Sequence, residues 1–205
     1  MKQSFNNIVN GYHLFREKYA HGDKSVMQYL SDNGQQPEIM VVACCDSRVD
    51  PALILQCNPG DLFVVRNVAN IIPPFEKDDS HHGTSAALEF AVRFLKVKHI
   101  IVLGHTQCGG INKLLNNNSS HPDDFITNWV SIIKKPEIFS CQDQDEYSKK
   151  ALMQSYQNCM TFPWIKTQVE NKELLIHLWF FDIKSGQIVT YSEEEKDYVL
   201  LQNIK

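Results

Sequence analysis

The chain has 205 residues, 43% hydrophobic and 21% charged, with a net charge of -4 at pH 7 and a pI near 6.0. That size and balance suit a single domain with a buried core, read here as residues 1–205 with 1–34 as an N-terminal helical arm. They give no reason to expect a nucleic-acid or anionic-membrane partner. No apolar run is long enough to span a bilayer, and the polar start MKQSFNNIVNGYHLFREKYAHGD lacks a signal peptide's apolar region, so a cytoplasmic protein is expected.

In chain order, Ile8, Tyr12, Leu14, Phe15 and Tyr19 form a rough helical stripe, and Val26, Met27 and Leu30 a second one before Asp32-Asn33-Gly34. Ile39 to Cys44 is short, apolar and not alternating, which predicts a strand buried on both faces of a parallel sheet. It stops in the polar cluster Cys45-Asp46-Ser47-Arg48. After the turn Asn58-Pro59-Gly60-Asp61, Leu62 to Val65 predicts a second strand ending in Arg66-Asn67. A loop runs from Pro73 to Gly83. The stripe Leu88, Ala91, Val92, Leu95 predicts a helix over 84–96, with Thr84 or Ser85 as cap.

His99 to Gly104 predicts a third strand, ending in His105-Thr106-Gln107-Cys108, and Gly109-Gly110 lead into a helix carrying Ile111, Leu114 and Leu115. A polar loop over 116–122, helices around 125–133 and 147–169, and a strand over 174–183 follow. Lys184-Ser185-Gly186-Gln187 then turns a hairpin into Ile188 to Tyr191. Glu193-Glu194-Glu195 reads as a solvated charge run in the tail. The expected fold is α/β: a mainly parallel central β-sheet flanked by helices, with the helical arm at one end and a C-terminal antiparallel edge strand at the other.

Chemistry gathers at two strand ends. Ligands of open parallel sheets bind outside the carboxyl ends of the strands. If the first and third strands are neighbours, two thiols and one imidazole meet there, a donor set known for catalytic zinc with one open position. An isolated His-x-x-Cys is a weak signal; beside Cys-x-Asp-Ser-Arg it is much stronger. Gly104, Gly109 and Gly110 would supply backbone freedom around the turn. Adjacent strand residues point to opposite faces, so one of Cys44 and Cys45 coordinates, and position alone leaves open which. Asp46 and Arg48 are spaced to share a face and form a bidentate pair. Cys57, Cys141 and Cys159 read as spectators, and Trp129, Trp164 and Trp179 as core.

Three ordered segments, Cys44-x-Asp46-Ser47-Arg48, Arg66-Asn67-Val68-Ala69-Asn70 and Gly104-His105-x-x-Cys108-Gly109-Gly110, resemble the β-class carbonic anhydrases. Ile72-Pro73-Pro74 and the stretch Gly83 to Phe90 are most similar to the plant-type branch. The likeness runs from about Gln35 to Leu115, with a weaker echo at Trp179 to Ile183. It implies one Zn2+ per subunit held by Cys44, His105 and Cys108, which leaves Cys45 buried and inert. It also implies an Asp46–Arg48 catalytic dyad, and a substrate pocket lined by Gln35, Phe63, Val68 and Phe90 across a dimer interface, with Gly109 beside it. The implied activity is a lyase's reversible hydration of carbon dioxide to bicarbonate and a proton by zinc-bound hydroxide, with Asp46 off the metal and activity rising with pH. The implied assembly is a homodimer or a dimer-based higher oligomer embraced by the arm.

Departures are Cys45 where serine is more usual, Leu178 before Trp179 where glycine is common, and Phe90 in place of tyrosine. The inhibitory bicarbonate site of some bacterial members maps to Val41, Arg66 and Phe181, of which only the arginine is retained. His81 and His82 are candidate proton shuttles. Rival readings are hydrolysis of carbon disulfide or carbonyl sulfide on the same scaffold, and a non-catalytic zinc or redox protein using Cys44 and Cys108.

Overall fold

The computed structural model describes residues 2–78, 80–116, 124–133 and 144–202. One six-stranded sheet organises them: β1 (Ile39–Cys44), β2 (Leu62–Asn67), β3 (His99–His105), β4 (Leu175–Phe181), β5 (Ile188–Ser192) and β6 (Asp197–Leu200), in the order β2-β1-β3-β4-β5-β6. The pairs β2/β1, β1/β3 and β3/β4 are parallel; β4/β5 and β5/β6 are antiparallel. The chain moves from β1 outward to β2, then returns to place β3 on the other side of β1. This reversal makes the carboxyl ends of β1 and β3 the switch point where an open sheet forms its ligand crevice.

β1 and β3 are buried along nearly their whole length, as their unbroken apolar runs require. One face of the sheet packs Met40, Val42, Ile100, Val102, Leu178 and Phe180 against Leu88, Ala91 and Val92 of the α4 segment, Leu152 and Cys159 of α7, and Ile165 of α8. The other face packs Val41, Ala43, Ile101, Leu103 and Phe181 against Ile111 and Leu114 of α5 and Val130 of α6. The helices are α1 (Lys2–Phe15), α2 (Val26–Asn33), α3 (Pro51–Ile54), α4 (Gly83–Glu89, prolonged as a wider turn over Phe90–Leu95), α5 (Gly109–Leu115), α6 (Phe125–Val130), α7 (Gln144–Cys159) and α8 (Pro163–Glu170).

Several local expectations are corrected. The helical pattern over 147–169 is two helices, because Pro163 cannot continue α7 and instead starts α8 at its first position. The Glu193-Glu194-Glu195 run is exposed, but it is the turn into β6, a strand whose short half-exposed sequence DYVL carries little pattern. α4 begins at Gly83, preceded by His82 with no side-chain cap, so neither Thr84 nor Ser85 caps it. Asp50 caps α3 by accepting the Leu53 amide at 3.2 Å, ahead of Pro51. The loop expected over 116–122 lies outside the described residues except for Asn116, as does Cys141.

Candidate metal centre

β1 and β3, hydrogen-bonded neighbours, end in Cys44 and His105, and the turn after β3 returns Cys108 to the same point. The ligand atoms of these three residues lie within 4.8 Å of one another. The two sulfurs are 3.9 Å apart. Thiolates about 2.3 Å from a tetrahedral ion stand roughly 3.8 Å from each other. All three side chains are buried.

His105 shows most directly that the cluster suits a metal. Its Nδ1 lies 2.9 Å from the Thr106 carbonyl, which can only accept, so Nδ1 carries the proton and Nε2 the lone pair. Nε2 is buried with no hydrogen-bond partner. A buried acceptor left bare costs about 1–3 kcal/mol, which a metal ion placed between it and the two sulfurs would remove. The thiols already share charge: the Cys108 S–H draws the Cys44 pKa down, while Cys44 and burial push Cys108 up. Backbone amides of Asp46 and Ala69 also stabilise the Cys44 sulfur, and those of Ile111 and Gly110 the Cys108 sulfur.

The turn after β1 is held from β2. Arg66 donates to the Cys44 carbonyl at 2.8 Å, to the Asp46 carbonyl at 2.7 Å and to Asp50 Oδ2 at 2.9 Å. Its guanidinium is thus committed to shaping this turn, a role with no signature in the sequence. Within the turn, Arg48 Nε meets Asp46 Oδ1 at 2.9 Å and Nη2 meets Oδ2 at 2.7 Å, and the Arg48 amide adds a third bond to Oδ1 at 3.0 Å. These bonds, the Arg48 side chain's first, hold the Asp46 carboxyl well below the usual carboxylate range.

The glycines act differently from the expectation. The left-handed residue of the β3–α5 turn is Gln107, with φ 56°, while Gly104, Gly109 and Gly110 all have negative φ. Gly110 is needed for close approach: a Cβ there would lie 2.7 Å from Val68 Cγ1 and 2.9 Å from Ala69 Cβ, while one on Gly104 would lie a tight 3.1 Å from a Leu152 methyl. Ala69 and Asn70 are themselves left-handed and buried, at φ 65° and 46°. Asn67 clamps that bend, accepting the Ile71 amide at 2.7 Å and donating to the Ile71 carbonyl at 2.9 Å. Trp129 Nε1 holds the Val68 carbonyl at 2.7 Å.

A family model of carbonic anhydrase matches residues 39–188, most of the chain and all of the parallel sheet. The chain belongs to the β-carbonic anhydrase family. It is 33% identical to a carbonic anhydrase of Synechocystis sp. over 96% of this chain and 74% of that one. It is 34% identical to β carbonic anhydrase 5, chloroplastic, of Arabidopsis thaliana over 87% of this chain and 62% of that one. The solved β-carbonic anhydrase CcaA superposes with a TM-score of 0.86 at 31% identity, covering 98% of this chain and 93% of that one. This β-carbonic anhydrase chain is accordingly an enzyme of the lyase class.

The remaining expected residues divide into two sets. Val68 lies beside the cluster, against Gly110. Gly109, at the start of α5, is exposed. Gln35 is exposed and precedes β1, at the end of the sheet opposite Cys44. From Ile39 to Cys44 alone the strand spans about 16 Å, at ~3.3 Å per residue. Phe63 pairs with Met40 in the first half of its strand and stacks on Phe90 with ring centroids 5.8 Å apart; Phe90 stacks in turn on Phe94 at 5.6 Å. Gln35, Phe63 and Phe90 therefore do not join Cys44 in one small pocket of a single chain.

His82 is tied to Asp78 at 2.7 Å, and His81 is exposed. Cys45, expected to be buried, is exposed, because the chain leaves the sheet at that residue and Cys44 alone turns inward. Cys57 is half-buried; Cys159 is fully buried, and burial pushes its thiol up to about 12. Among the described residues no helix is long and apolar enough to cross a membrane.

Proposed function

We propose that Cys44, His105 and Cys108 hold one zinc ion per chain, and that this site hydrates carbon dioxide reversibly to bicarbonate and a proton. The observation that carries this is the buried, unpartnered Nε2 of His105 facing two thiols in contact. A bound zinc would supply Lewis acidity and lower the pKa of a water beside it toward ~7. Asp46 has the role of orienting the nucleophile. Ionised and fixed through both oxygens by Arg48, it accepts a hydrogen bond from the attacking oxygen and aims its lone pair at carbon. On this reading the carboxylate pairs with Arg48 and stays off the metal. Arg48 also approaches the Gln107 carbonyl at 3.5 Å, tying the dyad to the turn that carries Cys108.

The active unit is a homodimer or an assembly of such dimers. α1 presents Phe5, Ile8, Tyr12 and Phe15 to solvent, between 41% and 71% exposed, a stripe that suits a partner subunit's surface. Gln35, Phe63 and Phe90 line the substrate pocket when contributed across that interface, which accounts for their distance from Cys44 in one chain. The thiols of Cys45, Cys57 and Cys159, outside the proposed ligand set, suit the reducing cytoplasm. Stopped-flow hydration of carbon dioxide, combined with metal analysis, tests the reading. Metal-replete protein should accelerate hydration and a strong chelator should abolish the effect. A rate equal to buffer alone, from protein carrying stoichiometric zinc, would remove carbon dioxide as the substrate.

A further inference from the structure

The turn joining β3 to α5 carries two of the three candidate ligands, and each residue between them is held by a different element. Thr106 is held by β4 and the residues after it: its amide donates to the Phe181 carbonyl at 3.0 Å, and its hydroxyl accepts the Ile183 amide at 3.1 Å. Gln107 and Cys108 are held by α7. Asp145 Oδ1 accepts the Gln107 amide at 2.8 Å, and Gln144 Nε2 donates to the Cys108 carbonyl at 2.7 Å. Gln144 Oε1 in turn accepts from Asn112 of α5 at 3.3 Å, so one side chain bridges the turn and the helix that follows it.

Gln107 needs such support. It is left-handed at φ 56°, a conformation that residues with a Cβ rarely adopt. α7 is also a firm base for it. The helix is 16 residues long, buries Tyr147, Ala151, Leu152 and Cys159, and packs Leu152 against Gly104 one residue before His105.

We infer that Gln144 and Asp145 are positioning residues for the metal centre, acting through the Gln107–Cys108 backbone to aim the Cys108 sulfur at Cys44. This rests on the reading that the cluster holds zinc. Both side chains reach the backbone of the turn, not the ligand atoms of the cluster. Their effect is to keep the turn in the conformation that closes the ligand set before the ion arrives. Loss of an outer partner of this kind typically lowers metal affinity ~10- to 100-fold.

The test compares zinc release to a chromophoric chelator from wild type, Gln144→Ala, Gln144→Glu, Asp145→Ala and Asp145→Asn, with zinc stoichiometry measured on the same samples. The thiolate-to-cobalt absorption band of cobalt-loaded protein gives a second readout. Gln144→Glu replaces the donor with an acceptor facing a carbonyl, and should release zinc about 10-fold faster or more, as should both alanine variants. Asp145→Asn keeps an oxygen for the Gln107 amide and should stay close to wild type. Ser155→Ala, buried in α7 and bonded to the Ile72 amide, controls for general loosening of the helix. Wild-type release rates in Gln144→Glu and Asp145→Ala, or equal acceleration by Ser155→Ala, would overturn the inference. Wild type purified without stoichiometric zinc would overturn the metal reading beneath it, and is scored separately.

Discussion

Arg48 grips Asp46 at both carboxylate oxygens, at 2.9 and 2.7 Å, on a turn that Arg66 ties to the neighbouring strand through the Cys44 and Asp46 carbonyls. A carboxylate fixed in this way can orient one hydrogen-bonded oxygen and do little else. Asp46→Asn is nearly isosteric and loses the charge that Arg48 holds. It should keep its zinc, by metal analysis, and lose about 100-fold in turnover, by stopped-flow hydration. Loss of zinc in that variant would instead make Asp46 a ligand.

The same pair sets a pH dependence of stability. The folded pKa of Asp46 lies below its ordinary 3.8, so the folded state binds fewer protons than the unfolded chain in the acid range. Its contribution is complete above 3.8 and disappears as pH falls through the folded value. Urea titrations of wild type and Asp46→Asn should therefore differ by a constant amount at neutral pH, with the gap closing below about pH 4. A gap unchanged down to acid unfolding would show that Arg48 does not stabilise the charged form.

Removal of the metal should expose the donor set's cost. Dialysis against a strong chelator leaves His105 Nε2 buried and unpaired, and should lower Tm, with recovery on adding zinc. Cys44→Ser and Cys108→Ser should each purify with well under one zinc per chain. Cys45→Ser, at an exposed thiol, should retain the full complement.

Close packing predicts unequal effects at adjacent glycines. Gly110→Ala would push a methyl to 2.7 Å from Val68 Cγ1 and 2.9 Å from Ala69 Cβ, against a bend that is already left-handed. A loss of about 1–3 kcal/mol is expected in urea unfolding, the usual cost of overpacking. Gly109→Ala meets nothing within 4 Å and should be neutral or slightly stabilising.

The exposed stripe of α1 predicts the assembly. Phe5→Glu combined with Ile8→Glu should yield monomers in analytical ultracentrifugation at concentrations where wild type is dimeric. If the pocket is completed across that interface, as proposed, turnover should fall with dissociation while each chain keeps its zinc, since the three candidate ligands come from one chain. A monomeric wild type would sink this reading.

Much of the site was legible because its signals are local. Cys44, Asp46 and Arg48 follow a buried apolar run, and His105 and Cys108 follow another, so strand ends and side-chain chemistry coincide within a few residues. Signals that depend on partners elsewhere were not legible. Arg66 gave no hint that it would bond the carbonyls of Cys44 and Asp46, nor Gln144 that it would reach that of Cys108, because backbone carbonyls are identical at every position. β6 was missed for a related reason: DYVL forms a strand by pairing with β5, not through its own pattern.

The amino-acid sequence alone determined the donor types, their order along the chain and the short apolar strands that precede them, since these follow from composition and local periodicity. Tertiary structure decided which strands became neighbours, which of two adjacent cysteines turned inward, and why Gly110 has no room for a side chain. Those outcomes depend on hydrogen bonds and contacts between residues far apart in sequence. Pairing β1 with β3 brings Cys44 to His105 and buries the Nε2 that a metal ion would complete.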